Sequence, residues 1–204
     1  MHRSFHKINN GRLAALVGLA LLMSISATAV VTAATASTTV SSAIASTISI
    51  SSNGTVTDNV TPTGTGAQTI QSDTVTVSTN DSAGYSLAIE ESGAGSSLTT
   101  GSNNIPATSG TWSSPAVMAA NTWGYRVDGA GSFSGGTTTA QSSAAISGTI
   151  NFAAVPATAS PQTIKTTSGT ATNDPTTVWY GVAANTSQPP GTYTNSVTYT
   201  ATAT

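Results

Sequence analysis

Asp73-Thr74-Val75-Thr76-Val77-Ser78-Thr79-Asn80, then Asp81-Ser82-Ala83, then Gly84-Tyr85-Ser86-Leu87-Ala88-Ile89-Glu90, is the stretch that decides the fold. Val75 and Val77 share one side of the first part; Tyr85, Leu87 and Ile89 share one side of the second, with Ser86 and Ala88 opposite. A period of two puts these residues on one face of a pleated strand, whereas a helix would scatter them around its circumference. The Asn, Asp, Ser and Gly residues between the two runs are turn formers.

The same pattern extends outward. Ile48 and Ile50 alternate in residues 47–51, and Trp123, Tyr125 and Val127 in 123–127. Further strands are expected at 144–152, 162–167 and 178–183, and a last one at 193–202 with Tyr193, Val197, Tyr199 and Ala201 on one side. Ser52-Asn53-Gly54, Asp128-Gly129-Ala130-Gly131, Asn173-Asp174-Pro175 and Gln188-Pro189-Pro190-Gly191 read as turns. No stretch after the N-terminal segment has a period of 3.6, and residues 114–121 could form one helical turn at most. Many short strands with light apolar faces bury them best as two antiparallel sheets packed face to face, an all-β sandwich with immunoglobulin-like architecture. An up-and-down barrel is the alternative. Residues 98–136 are expected to hold an excursion or extra hairpins.

The chain begins with Arg3, Lys7 and Arg12 around an apolar run at 13–25, followed by small residues. That order is a secretory signal, expected at 1–36 with cleavage after Ala36; a retained membrane anchor is the other reading. Residues 37–45 then form a flexible lead-in and 46–204 a single domain. Once the signal is removed, Arg126 and Lys165 are the remaining basic residues, against seven acidic ones. Such a surface has no electrostatic hold on nucleic acid or anionic lipid, so contact with a membrane is expected only through the N-terminal segment. The chain has no Cys, which rules out a lipidated cysteine anchor and disulfides.

Beyond residue 36 there is also no His. Imidazole bases, serine triads, cysteine nucleophiles and the usual zinc ligands are therefore lacking together, and no glycine-rich phosphate loop is present. No catalytic residue and no cofactor is expected. An enzyme built on carboxylates alone would need Asp or Glu from different strands in one cleft. Glu90 and Glu91 are adjacent, point to opposite faces, and read as a solvated strand end. The pairs Asp58-Asn59, Asn80-Asp81 and Asn173-Asp174 carry calcium-type oxygens but belong to no recognisable calcium loop. Lys165 alternates away from Ile164 and is expected to face water; an amide bond between it and an Asn is a remote idea.

The segment from Val75 to Ile89 and the closing Pro190-Gly191-Thr192-Tyr193-Thr194-Asn195-Ser196-Val197-Thr198-Tyr199-Thr200 resemble the two ends of WxL-type domains of bacterial cell-surface proteins. The resemblance implies a WxL-like β-sandwich held non-covalently at the cell wall. The family's Trp-x-Leu motif is absent: Trp179 is followed by Tyr180-Gly181 and Trp123 by Gly124-Tyr125. The tryptophan-based wall contact is therefore not carried over. No Leu-Pro-x-Thr-Gly sorting motif occurs either, so sortase linkage is not expected.

The functional expectation is thus a secreted or cell-surface structural or attachment domain, with cell-wall glycan or other surface proteins as partners. The alternatives are a subunit of a surface fibre or layer, and a carbohydrate-binding module. For a glycan surface the candidate residues are Trp112, in the Ser/Gly-flanked stretch 109–114, and Tyr180.

Overall fold

The computed structural model describes residues 32–93, 95–133 and 137–204. The expected signal, 1–36, therefore lies largely outside the described residues. Residues 32–43 have no regular secondary structure and are exposed. Ile44–Thr204 forms a compact unit that is all-β.

Its strands are β1 (Ile48–Ser51), β2 (Ala67–Thr79), β3 (Tyr85–Glu91), β4 (Leu98–Thr100), β5 (Asn103–Ile105), β6 (Ala116–Val117), β7 (Thr122–Arg126), β8 (Gln141–Ala145), β9 (Asn151–Phe152), β10 (Gln162–Thr166), β11 (Ala171–Ala184) and β12 (Val197–Ala203). The larger sheet runs β1-β2-β11-β7, with β8 also paired to β2. Both β1 and β8 sit along the same strand, β1 opposite Thr76–Thr79 and β8 opposite Ala67–Ile70. The smaller sheet runs β10-β3-β12. All of these strand pairs are antiparallel.

The period-two residues face each other across the sandwich. Val75, Val77, Val178, Trp123, Tyr125 and Val127 come from the larger sheet and its continuation; Tyr85, Leu87, Ile89 and Ile164 come from the smaller one. All are at most 5% exposed. A second cluster of Ile70, Met118, Phe152 and Ala183 lies on the other face of the larger sheet, with Ile146, Ile150 and Trp179 packed on it. Trp123 and Trp179 thus serve different layers. The turn from β2 to β3 depends on Gly84, whose φ of +97° and contact with the Thr167 carbonyl leave no room for a Cβ.

Several expectations change. The strand foreseen at 144–152 is two, β8 and β9, because Ser147 Oγ accepts the N–H groups of Thr149 and Ile150 and turns the chain between them. Asn173-Asp174-Pro175 is not a turn but an irregularity inside β11, where the register shifts between Ala171 and Asp174 and Asn173 has φ of 50°. A bulge absorbs these residues without ending the strand. β1 is an edge strand that leaves Ile48 36% and Ile50 41% exposed, although their alternation suggested burial. Residues 114–121 contain β6 and no helical turn.

Candidate functional site

Between Ser51 and Ala67 the chain runs as a strap. Asn53 N–H donates to Asp73 Oδ1 at 2.8 Å, the Asn59 carbonyl accepts from Thr69 Oγ1 at 2.7 Å, and Thr61 N–H donates to Ser143 Oγ at 2.7 Å. These are bonds to side chains; the main-chain tie of the strap is at Thr63, which bridges Asn185 just after β11 and accepts from Thr186 N–H, while residues 52–62 join no sheet. Its burial nevertheless alternates: Val56, Asp58 and Val60 are half-buried, while Thr55, Thr57 and Asn59 are exposed. Val56 and Val60 pack on the main core.

The strap forms one wall of a groove of about 970 Å³. Tyr180 and Val182 of β11 and Asp73 of β2 are on its floor, and Val197 and Tyr199 of β12 and the loop before it form the far side. Leu98 and Ile105 of the β4-β5 hairpin also contribute. The hairpin is pinned there by the Thr99–Thr194 bridge, with N···O distances of 3.0 Å in both directions.

Along this groove β12 presents an unpaired edge. Ser196 O accepts from Ser92 N–H and Thr204 N–H donates to Gly84 O, so the even-numbered residues of β12 direct their main-chain groups at β3. The main-chain groups of Val197, Tyr199, Ala201 and Ala203 consequently point the other way. Among the described residues no strand pairs with that edge. Unpaired edges of this kind are templates for another strand.

The polar groups of the groove form two sets. Tyr180 and Tyr199 meet through their hydroxyls at 2.6 Å, and the Asp73 carboxyl is near enough to act on both phenols by its charge. Burial pushes both phenols well above their ordinary range; in Tyr199 the neighbouring hydroxyl and the Asp73 charge add to it. Asp73, 5% exposed, accepts from Asn53 N–H. Asp58 is different. Its Oδ1 is buried without a hydrogen-bond partner, and burial pushes its carboxyl up to about 7.

The sequence-derived candidates do not form a flat exposed aromatic strip. Tyr180 is 8% exposed, because it sits on the inner face of β11 with its hydroxyl tied to the opposite sheet; it belongs to the groove floor. Trp112 is half-buried and stacks on Tyr125 at 6.4 Å between ring centroids, with Phe133 edge-on at 5.4 Å. It closes the core beside β7 and does not line the groove. Glu91, expected to be solvated, is 1% exposed, continues the inward phase of Tyr85, Leu87 and Ile89, and is pushed up by burial. Glu90 lies on the opposite face and accepts from Ala159 N–H at 2.8 Å.

Of the oxygen-rich turn pairs, Asn80-Asp81 is engaged in holding the chain. Asn80 Oδ1 accepts Thr47 N–H at 2.7 Å, and its amide donates to the Ala45 carbonyl at 3.0 Å. Asp81 Oδ1 accepts Ala83 N–H, and its Oδ2 accepts Ser46 Oγ–H, both at 2.9 Å. Among the described residues no group of three or more Asp, Glu, His or Cys is arranged to hold a metal ion. Lys165 is paired with Asp174 at 2.7 Å and with the Pro175 carbonyl at 3.1 Å, so its contacts are ionic and main-chain rather than with an Asn.

The fold and groove define an all-β sandwich with an open, strand-lined cleft. The chain matches no protein-family model, no curated protein and no solved structure.

Proposed function

We propose that the chain is an exported structural or attachment domain of a cell surface, retained at the cell wall by non-covalent contact, and not an enzyme. The observation that carries this reading is the groove beside β12: about 970 Å³, bounded by an unpaired strand edge and lined by Tyr180 and Tyr199. It can take an extended polymer along its length. Its two carboxylates come from different elements, as carboxylate chemistry would require, but Asp73 is already bonded to Asn53 and nearly inaccessible. Only Asp58 has a free oxygen, and paired acid and base roles need two available groups. Binding without turnover is what remains.

Co-sedimentation of residues 37–204 with isolated cell-wall sacculi tests it. Saturable pelleting that is weakened by Asp58→Arg supports wall attachment through the groove; a protein that stays in the supernatant at every sacculus concentration sinks that reading.

A second reading, a subunit of a surface fibre or layer, is favoured by the same free edge of β12, since edge pairing supplies main-chain hydrogen bonds to a neighbour without a dedicated pocket.

A further inference from the structure

We propose that the occupant of the groove is the N-terminal lead-in of a second copy of this chain, residues 37–44, entering as an added strand between β12 and the strap. The inference rests on the fibre-or-layer reading and names its partner and contact.

Two segments flank the groove and neither is paired across it: β12, with its outward main-chain groups, and residues 55–60 of the strap, whose burial alternates. The gap between them is a place in the sandwich where a strand is missing. An incoming strand would bond to the main chain of Val197 and Tyr199 and turn alternate side chains onto Tyr180, Val182 and the strap.

The lead-in carries a matching stripe. Val40, Ser42 and Ile44 are in phase along an extended chain, and Val40 is 90% and Ile44 87% exposed, the most exposed large apolar side chains among the described residues. The strap presents Val56, Asp58 and Val60 at the same spacing. Apolar, polar, apolar faces apolar, polar, apolar. A hydroxyl donor at the middle of the incoming strand is what the unpartnered Asp58 oxygen lacks. The intervening Ser41 and Ala43 are small, and residues 37–44 contain no charge to bury.

The occupant cannot be the chain's own lead-in. Ala45 is held to Asn80, and from there three residues carry Ser42 at most about 11 Å. Asp58 precedes Asn59, which is bonded to Thr69, far along β2 from Asn80; the separation along the strand is roughly 35 Å. The attachment point of the lead-in at Ala45 and the acceptor Asp58 thus lie toward opposite ends of β2, and pairing between copies is heterologous, head to tail, the kind that propagates into filaments or closed rings.

The absence of Cys provides a direct test on residues 37–204. One preparation carries Ser42→Cys with an affinity tag and another Asp58→Cys without it. They are mixed under mild oxidation, with analytical ultracentrifugation of the unmodified protein run alongside. Concentration-dependent oligomers, and a mixed disulfide about tenfold more abundant than with the out-of-phase Thr39→Cys, support the proposal. Val40→Asp and Ile44→Asp should each weaken self-association about ten- to a hundredfold, with the solution fold of the monomer unchanged by circular dichroism. Oligomers whose cross-linking is no greater than with Thr39→Cys overturn the donor assignment but leave the fibre reading standing. A protein that is monomeric at all concentrations and gives no mixed disulfide overturns both.

Discussion

Tyr180 of β11 and Tyr199 of β12 join the two sheets hydroxyl to hydroxyl at 2.6 Å. Either phenol can donate, and each hydroxyl is the other's hydrogen-bond partner. Tyr199→Phe and Tyr180→Phe each leave one buried hydroxyl short of that partner and are each expected to cost about 1–2 kcal/mol. Urea denaturation of the single and double variants checks this, and the double variant should cost less than the sum.

Asp174 is the other cross-sheet link, accepting from Lys165 Nζ and from Tyr85 Oη–H, each at 2.7 Å. Burial raises its carboxyl, but the bonds from Lys165 and Tyr85 and the lysine charge outweigh this and hold it below the ordinary range. A depressed folded-state value contributes stability that is present above the unfolded value, near 4, and lost as pH falls through the folded one. Lys165→Met should lower stability at pH 7 by about 0.5–1 kcal/mol, since both side chains remain partly solvated, and by less at pH 2. Urea titrations at the two pH values measure the difference.

Asp58 and Glu91 act in the opposite sense. Both are raised by burial, Asp58 to about 7. A raised value favours the protonated folded form, so the stability they allow is complete below about pH 4 and declines as pH rises toward 7. Asp58→Asn should raise the melting temperature at pH 8, with a gain of the order of 2–4 kcal/mol, and change little at pH 4. A variant no more stable at pH 8 than at pH 4, relative to the parent, would contradict the burial of this carboxyl.

Asp128 ties Thr138 to Arg126 at the end of β7. It accepts from Arg126 Nε at 2.9 Å and from the N–H and hydroxyl of Thr138 at 2.6 and 2.7 Å. Arg126 is 1% exposed. Asp128→Ala deprives a buried guanidinium of its carboxylate, though the bond to the Asn151 carbonyl remains, and is expected to cost about 3–5 kcal/mol. Hydrogen exchange at Thr138 should accelerate in step with the loss of stability.

Strong alternation made the core readable from sequence. Val75, Val77, Tyr85, Leu87, Ile89, Trp123 and Tyr125 all lie where a period of two puts them. The first half of β2 was not readable, because Gln68 and Thr69 are buried by hydrogen bonding to Gln141 and Asn59 rather than by apolar character. Ile48 and Ile50 alternate as a buried strand would, yet whether an edge is covered depends on the opposite sheet. The groove was hidden for a related reason. Val56-Thr57-Asp58-Asn59-Val60 has the alternation, but an Asp at its centre reads as a turn, and its burial is imposed by β11 and β12, which are more than a hundred residues away. Tyr180, a surface candidate in the sequence, lies instead on the inner face of β11 at 8% exposure, a one-residue question of phase that Val178, Trp179, Tyr180 and Gly181 leave undecided.

The turn at residues 80–84 holds both ends of the compact unit. Asn80 and Asp81 bind Ala45, Ser46 and Thr47, while Ala83 and Gly84 bind Thr204. A tension applied between those ends would therefore act on bonds that open one after another, β1 from Ile48 and β12 from Ala203, in the manner of a zipper. A sandwich loaded between those two ends yields at low force and lengthens by peeling rather than by shearing its strands past one another.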